Sequence, residues 1–83
     1  MRLLYFAWVK EKAGIGAEEV EVPAEVTTVA ELIGWLKSRG PEFAHAFARS
    51  EIIRAAIDQT HVRQDAAIRG ASEIAFFPPV TGG

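Results

Sequence analysis

The chain has 83 residues, 49% of them hydrophobic, with nine basic and eleven acidic side chains and a net charge of −2. That size makes one domain, near the lower limit of what a single core stabilises. Without a basic excess, a nucleic-acid or anionic-membrane surface is excluded as a leading reading, and without cysteine so are a disulfide scaffold, a thiolate metal cluster, an iron–sulfur centre and a cysteine nucleophile. No signal peptide or 18-residue apolar run appears, which points to a cytoplasmic protein. So high an apolar content in so small a domain also suggests that part of its surface faces a partner.

Arg2 to Val9 is apolar and aromatic, lacks Gly and Pro, and reads as a strand with faces Leu3/Tyr5/Ala7/Val9 and Arg2/Leu4/Phe6/Trp8. Lys10 to Gly16, with two glycines, reads as a turn. Glu19-Val20-Glu21-Val22 alternates as a half-exposed strand does, pairing back on the first as a hairpin. The carboxylates of Glu18, Glu19, Glu21 and Glu25 could be taken for a metal site, but acids on an exposed strand edge more simply form a solvated face that discourages aggregation. Thr28-x-x-Glu31 is a capping box that opens a helix. Val29, Leu32, Ile33 and Leu36 then fall at i, i+3, i+4 and i+7, a single stripe for a core.

This helix is expected to stop at Gly40, with Gly as its C-terminal cap and Pro41 unable to continue it. Pro41 suits the first turn of a second, short helix carrying Phe43 and Phe47 four residues apart, with His45 off that stripe as a surface residue. Ile52 to Ile57 reads as a strand, Asp58-Gln59-Thr60 as a turn, and His61-Val62-Arg63 as a short returning strand. Asp65 could cap one helical turn through Ile68. Gly70 leads into a last strand, Glu73 to Phe77. Asp58, Thr60, His61 and Asp65 could be imagined as an acid–base cluster, but turn chemistry accounts for these acids without catalysis.

Hairpin, helix and further strands in this order describe an α+β, β-grasp (ubiquitin-like) fold, with a mixed sheet of four to five strands packed on one main helix. The first and last strands, the most apolar, are expected to lie adjacent and parallel at its centre. Arg2, Arg54, Asp58 and Glu73 mark the open face of that sheet. The same parity exposes Phe6, Trp8, His61 and Phe77, a candidate docking surface unless the second helix covers it.

Residues 1–77 thus form the β-grasp domain and 78–83 an extended tail. Pro78-Pro79 stops the last strand and favours a stiff, extended chain, and six residues can reach about 20 Å from the body. Gly82 and Gly83 lack Cβ atoms, so the tip can enter a narrow channel and let a reactant approach its carbonyl carbon. A free carboxylate there is a poor electrophile, and a partner would have to convert it to an acyl-adenylate with ATP.

The run Glu73-Ile74-Ala75-Phe76-Phe77-Pro78-Pro79-Val80-Thr81-Gly82-Gly83 resembles the C-terminus of the MoaD family, the small, sulfur-carrying subunits of molybdopterin synthase. Tyr5-Phe6-Ala7 with Lys10-Glu11 and Gly14, Thr28-Val29-Ala30-Glu31-Leu32, and Ala55 through Val62 extend the resemblance over nearly the whole chain. Asp58 stands where the family usually has Asn, and Ala71-Ser72 replaces a common acidic turn. The resemblance implies that an E1-like adenylating enzyme activates Gly83 with ATP and Mg²⁺, and that a sulfurtransferase then helps convert it to a thiocarboxylate. It further implies that the tail, with Gly82, Thr81, Val80, Pro79 and Pro78 behind the tip, enters the large synthase subunit. There sulfur passes to cyclic pyranopterin monophosphate, in an expected heterotetramer whose catalytic pocket lies on the large subunit. No cofactor is expected to stay bound to this chain, and no metal, nucleic acid or membrane is expected as a ligand. The same glycine chemistry would serve a carrier for thiamine, tungsten-pterin or tRNA thiolation, or a ubiquitin-like protein modifier.

Overall fold

The computed structural model describes residues 1–79. Five strands, β1 (Arg2–Tyr5), β2 (Ala17–Glu19), β3 (Arg54–Ile57), β4 (Thr60–Val62) and β5 (Glu73–Phe77), form one sheet in the order β2-β1-β5-β3-β4. β1 and β5 pair in parallel and the other neighbours are antiparallel. Helices α1 (Ala7–Ala13), α2 (Val29–Lys37) and α3 (Pro41–Ala46) complete the β-grasp expected from the element order. Leu3 and Tyr5 of β1, Ile74 and Phe76 of β5 and the stripe Val29, Leu32, Ile33 and Leu36 of α2 are all buried in one core. At its centre the Phe76 ring stacks on Tyr5 at 6.0 Å and meets Phe47 edge-on at 5.3 Å.

The start of the chain differs from the expected long strand. β1 ends at Tyr5, Ala7 adopts φ 54°, and residues Ala7–Ala13 form a helix in place of strand end and turn. Val9 and Ala13, one helical turn apart, are buried together, and Gly14 at φ 86° closes the helix by donating its N–H to the Lys10 carbonyl. Such an i, i+4 pair ending in a left-handed glycine is a helix signal, overshadowed in the sequence by the aromatic run before it. Trp8 consequently sits on α1, half-buried, with the Lys12 ammonium 4.9 Å from its ring.

Other boundaries shift for reasons of pairing. β2 covers residues Ala17–Glu19, not 19–22, because Glu19 lies opposite Arg2 and the Val20 N–H bonds the Met1 carbonyl, after which β1 offers no partner. α2 ends at Lys37, with Ser38 as its right-handed C-cap. Gly40, at φ 163°, is extended backbone leading into α3 and caps nothing at the end of α2. Ile52 closes a single 3-10 turn, Ser50–Ile52, so β3 begins at Arg54. Asp65 caps no helical turn. Its neighbours are bound elsewhere: the Gln64 and Ala66 carbonyls accept the Ala30 and Val29 N–H groups at the start of α2, and the Ile68 N–H bonds Thr27. The segment thereby satisfies amide groups that any helix N-terminus leaves unpaired.

The returning strand β4 runs Thr60–Val62, one residue earlier than the expected His61-Val62-Arg63, because Thr60 already pairs with Ile57; the other local signals hold. The Thr28 hydroxyl accepts the Glu31 N–H, and the Glu31 carboxylate reaches back to Thr27, accepting from both its N–H and its hydroxyl at 2.7 Å. Pro41 opens α3, and His45 is exposed. Asp58 and Gln59, both at positive φ, form the two-residue turn between β3 and β4. The Asp58 carboxylate also accepts the Ser72 and Glu73 N–H groups at 3.1 and 2.9 Å, fixing the start of β5.

Phe76→Ala is therefore expected to destabilise the protein by about 3–5 kcal/mol in urea titrations, because it empties the centre of the aromatic core. Asp58→Ala, which loses two backbone contacts and places a β-carbon residue at positive φ without a polar side chain, should cost about 1–2 kcal/mol. Equal stability of Phe76→Ala and the wild type would invert the assignment of the two sheet faces.

Candidate docking face

Strand alternation sends Phe76 inward and Phe77 outward. Register then aligns Phe77 with Arg54 and Ala75 with Ala56 on β3, Ala75 with Leu4 on β1, and Ala56 with His61 on β4. These residues share the face opposite the core. The second helix does not cover them: Phe47, which follows α3, packs against Tyr5 and Phe76 on the core side, and α1 packs on α3. The open face expected from parity is present.

Two of the sequence-derived docking residues meet on this face, and a third lies next to the end of β5. The His61 and Phe77 rings lie 5.2 Å apart. Phe6, 48% exposed, donates its backbone N–H to the Phe76 carbonyl and so sits where β5 runs out. Pro78 and Pro79 continue from there, half-buried, and Pro79 borders a shallow groove shared with Ile52, Arg54 and Val62. Trp8 was assigned to this face by extending β1, and that basis is corrected by its place on α1. Val80, Thr81, Gly82 and Gly83 lie outside the described residues.

Sequence reasoning missed a polar anchor on the other side of the sheet. Glu18 belongs to the acidic run read as a solvated face, yet it is partly buried, and its carboxylate accepts the Tyr5 hydroxyl at 2.6 Å. Arg39 grips the same carboxylate with two N–H groups at 2.7 and 3.0 Å, its guanidinium lying 4.8 Å from the Phe43 ring centre. Burial raises the Tyr5 phenol well above its ordinary range, with the Glu18 hydrogen bond and charge adding to the rise. For Glu18, burial is the largest single influence and pushes upward, but the hydrogen bonds from Arg39 and Tyr5 and the Arg39 charge outweigh it and hold the carboxyl below its usual range. The one signal in the sequence was a tyrosine on the inward parity of β1, whose hydroxyl needs a partner when buried.

Among the described residues, no three His, Cys, Asp or Glu side chains gather where they could hold a metal ion. Asp58, Thr60, His61 and Asp65 form no acid–base constellation: Asp58 is committed to backbone amides and His61 lies against Phe77. Among the described residues no helix is long and apolar enough to cross a membrane. The chemistry this arrangement supports is recognition through an apolar sheet face at the root of the tail.

A family model described as the ThiS family matches residues 3–83. The molybdopterin synthase sulfur carrier subunit of Escherichia coli (strain K12) is 36% identical over 83 residues, covering 100% of this chain and 99% of that protein. Its namesake from Haemophilus influenzae is 34% identical over 83 residues, with the same coverage. Among solved structures, SAMP1 (small archaeal modifier protein 1) from Haloferax volcanii superposes with a TM-score of 0.72 at 25% identity, covering 100% of this chain and 98% of that one.

A carboxyl held low in the folded state contributes stability that is complete above the unfolded-state value and is lost as the pH falls through the folded-state value. Stability should accordingly begin to fall as the pH drops below about 4.3. Glu18→Gln should flatten that part of the profile and cost about 1–2 kcal/mol near neutral pH, allowing for partial exposure of the pair. Denaturant titrations near neutral pH and at a series of pH values below about 4.3 check this, and a variant profile parallel to the wild type's would remove Glu18 from the acid response.

Proposed function

The chain belongs to the ThiS family, and from that premise we propose that it is the sulfur carrier of a molybdopterin synthase. The observation that carries this reading is full-length similarity to relatives that bear that name, joined to the run Phe76-Phe77-Pro78-Pro79-Val80-Thr81-Gly82-Gly83. In this mechanism a carboxylate oxygen of Gly83 attacks the α-phosphorus of Mg²⁺-bound ATP in an E1-like enzyme, giving an acyl-adenylate and pyrophosphate. A sulfur nucleophile supplied through a sulfurtransferase then displaces AMP at the carbonyl carbon and leaves a thiocarboxylate. The loaded tail enters the large synthase subunit, where cyclic pyranopterin monophosphate receives the sulfur.

This chain supplies position, and the large subunit the catalytic pocket. The apolar end of the sheet, Phe6, His61 and Phe77, docks on the partner, while Pro78 and Pro79 stiffen the exit so that tethering replaces diffusion. Gly82 and Gly83 present no Cβ to block approach to the reacting carbon. The chain holds no cofactor of its own, works in the cytoplasm, and assembles with the large subunit as a heterotetramer.

The fold shared with SAMP1 favours one second reading, a protein modifier joined through Gly83 to lysine amines. Activation would be common to both and the acceptor would differ. Cell lysates probed for this chain would then show a ladder of hydroxylamine-resistant adducts.

Incubation with the activating enzyme, ATP and a sulfur source should raise the mass of the chain by one sulfur-for-oxygen exchange, and an unchanged mass with competent partners would overturn the carrier reading. Deletion of Gly83 should abolish the exchange while leaving the unfolding midpoint in place. Phe77→Ala should still accept sulfur yet bind the large subunit more weakly by about 2 kcal/mol, measured by titration calorimetry.

A further inference from the structure

The corner of the sheet at the root of the tail carries two arginines, Arg54 and Arg63, that make no ion pair among the described residues. Arg54, on β3, lies opposite Phe77 on the open face. The β3–β4 register, Ala55 with Val62 and Ala56 with His61, sets Arg63 opposite Arg54 when continued by one residue. Both are exposed and border one depression beside His61. Like charges facing each other across neighbouring strands are destabilising, so the fold gains nothing from this pairing.

Three acids of this side of the molecule are engaged elsewhere. Glu73 pairs with Arg2 at 3.7 Å, Glu51 with Arg49 at 3.6 Å, and Asp58 with two backbone amides. Among the described residues, neither Arg54 nor Arg63 makes an ion pair. A chain of net charge −2 thus holds a cationic corner directly beside its exposed aromatic end.

We propose that Arg54 and Arg63 form a cationic rim that docks carboxylate side chains on the subunit receiving the tail. The inference rests on the carrier reading and adds the chemistry of the partner: an acidic edge flanking the tail channel, on the side of β3 and β4. Two guanidiniums beside an apolar patch speed encounter and bias orientation, while burial of Phe77 slows dissociation. Meeting the carboxylates also relieves the Arg54–Arg63 repulsion, so the cost carried by the free chain disappears in the complex.

The test uses the full chain and the large synthase subunit of the same organism, with association rates measured at about 50 mM and about 500 mM sodium chloride. Arg54→Glu with Arg63→Glu should slow association about tenfold or more at low salt, and the difference should shrink at high salt. Arg54→Gln with Arg63→Gln should fall between the two, and it carries the test alone if the charge reversal disturbs folding. Wild-type rates for the variants at both salt concentrations, with Phe77→Ala still weakening the complex, would overturn the rim and leave the carrier reading standing. Absence of any complex with the wild-type chain would overturn both.

Discussion

Two adjacent phenylalanines at the end of β5 face opposite sides of the sheet, and most of the molecule depends on that alternation. Phe76 is the centre of the aromatic core, in contact with Tyr5 and Phe47. Phe77 leaves the core by the next bond and meets His61 on the open face. Because side chains in a strand alternate with a period of two, a slip of one residue would exchange the two roles. The parallel pairing of β1 with β5 and the Asp58 contacts at the start of β5 oppose that slip. One register therefore sets both the stability of the domain and the orientation of the surface at its tail.

Polar interactions are divided between the two sides in a way that matches this arrangement. Beside the core, Glu18 joins β2 to Tyr5 of β1 and to Arg39, which follows α2, and closes the helical layer onto the sheet. Charge-assisted contacts with bidentate geometry hold orientation as well as contributing energy. On the open face Glu73 pairs with Arg2 and Asp58 accepts two backbone amides, whereas Arg54 and Arg63 make no ion pair among the described residues.

For a carrier the division suits the task. In the proposed mechanism the tail is chemically plain, since partners carry out its reactions, and the domain presents it in one orientation. A sheet whose centre is a parallel pair of apolar strands provides a rigid base, and Pro78 follows the last ladder residue without competing for hydrogen bonds. Recognition can then be altered at Arg54, Arg63 or His61 without touching the core, because their side chains take no part in it.

How much of this was legible in the sequence followed from how local each signal is. The capping box at Thr28, the stripe on α2, the turn at Asp58-Gln59 and the alternation of Glu73 to Phe77 each depend on residues within about one helical turn or one strand, and each was readable. The order of elements was enough for the β-grasp, because short right-handed connections leave few topologies. Where a boundary depended on a distant partner, the sequence could not decide. β2 stops where β1 runs out of residues, and 64–68 stays non-helical because its carbonyls serve α2. The apolar run from Arg2 suited a strand throughout, and only burial of Val9 and Ala13 within the helical layer turned its second half into α1. Glu18 looked like one more solvated acid until folding set it beside Tyr5 and Arg39. Local chemistry was written in the sequence; which charges are buried, paired or left facing outward was decided only when elements distant in the chain came together.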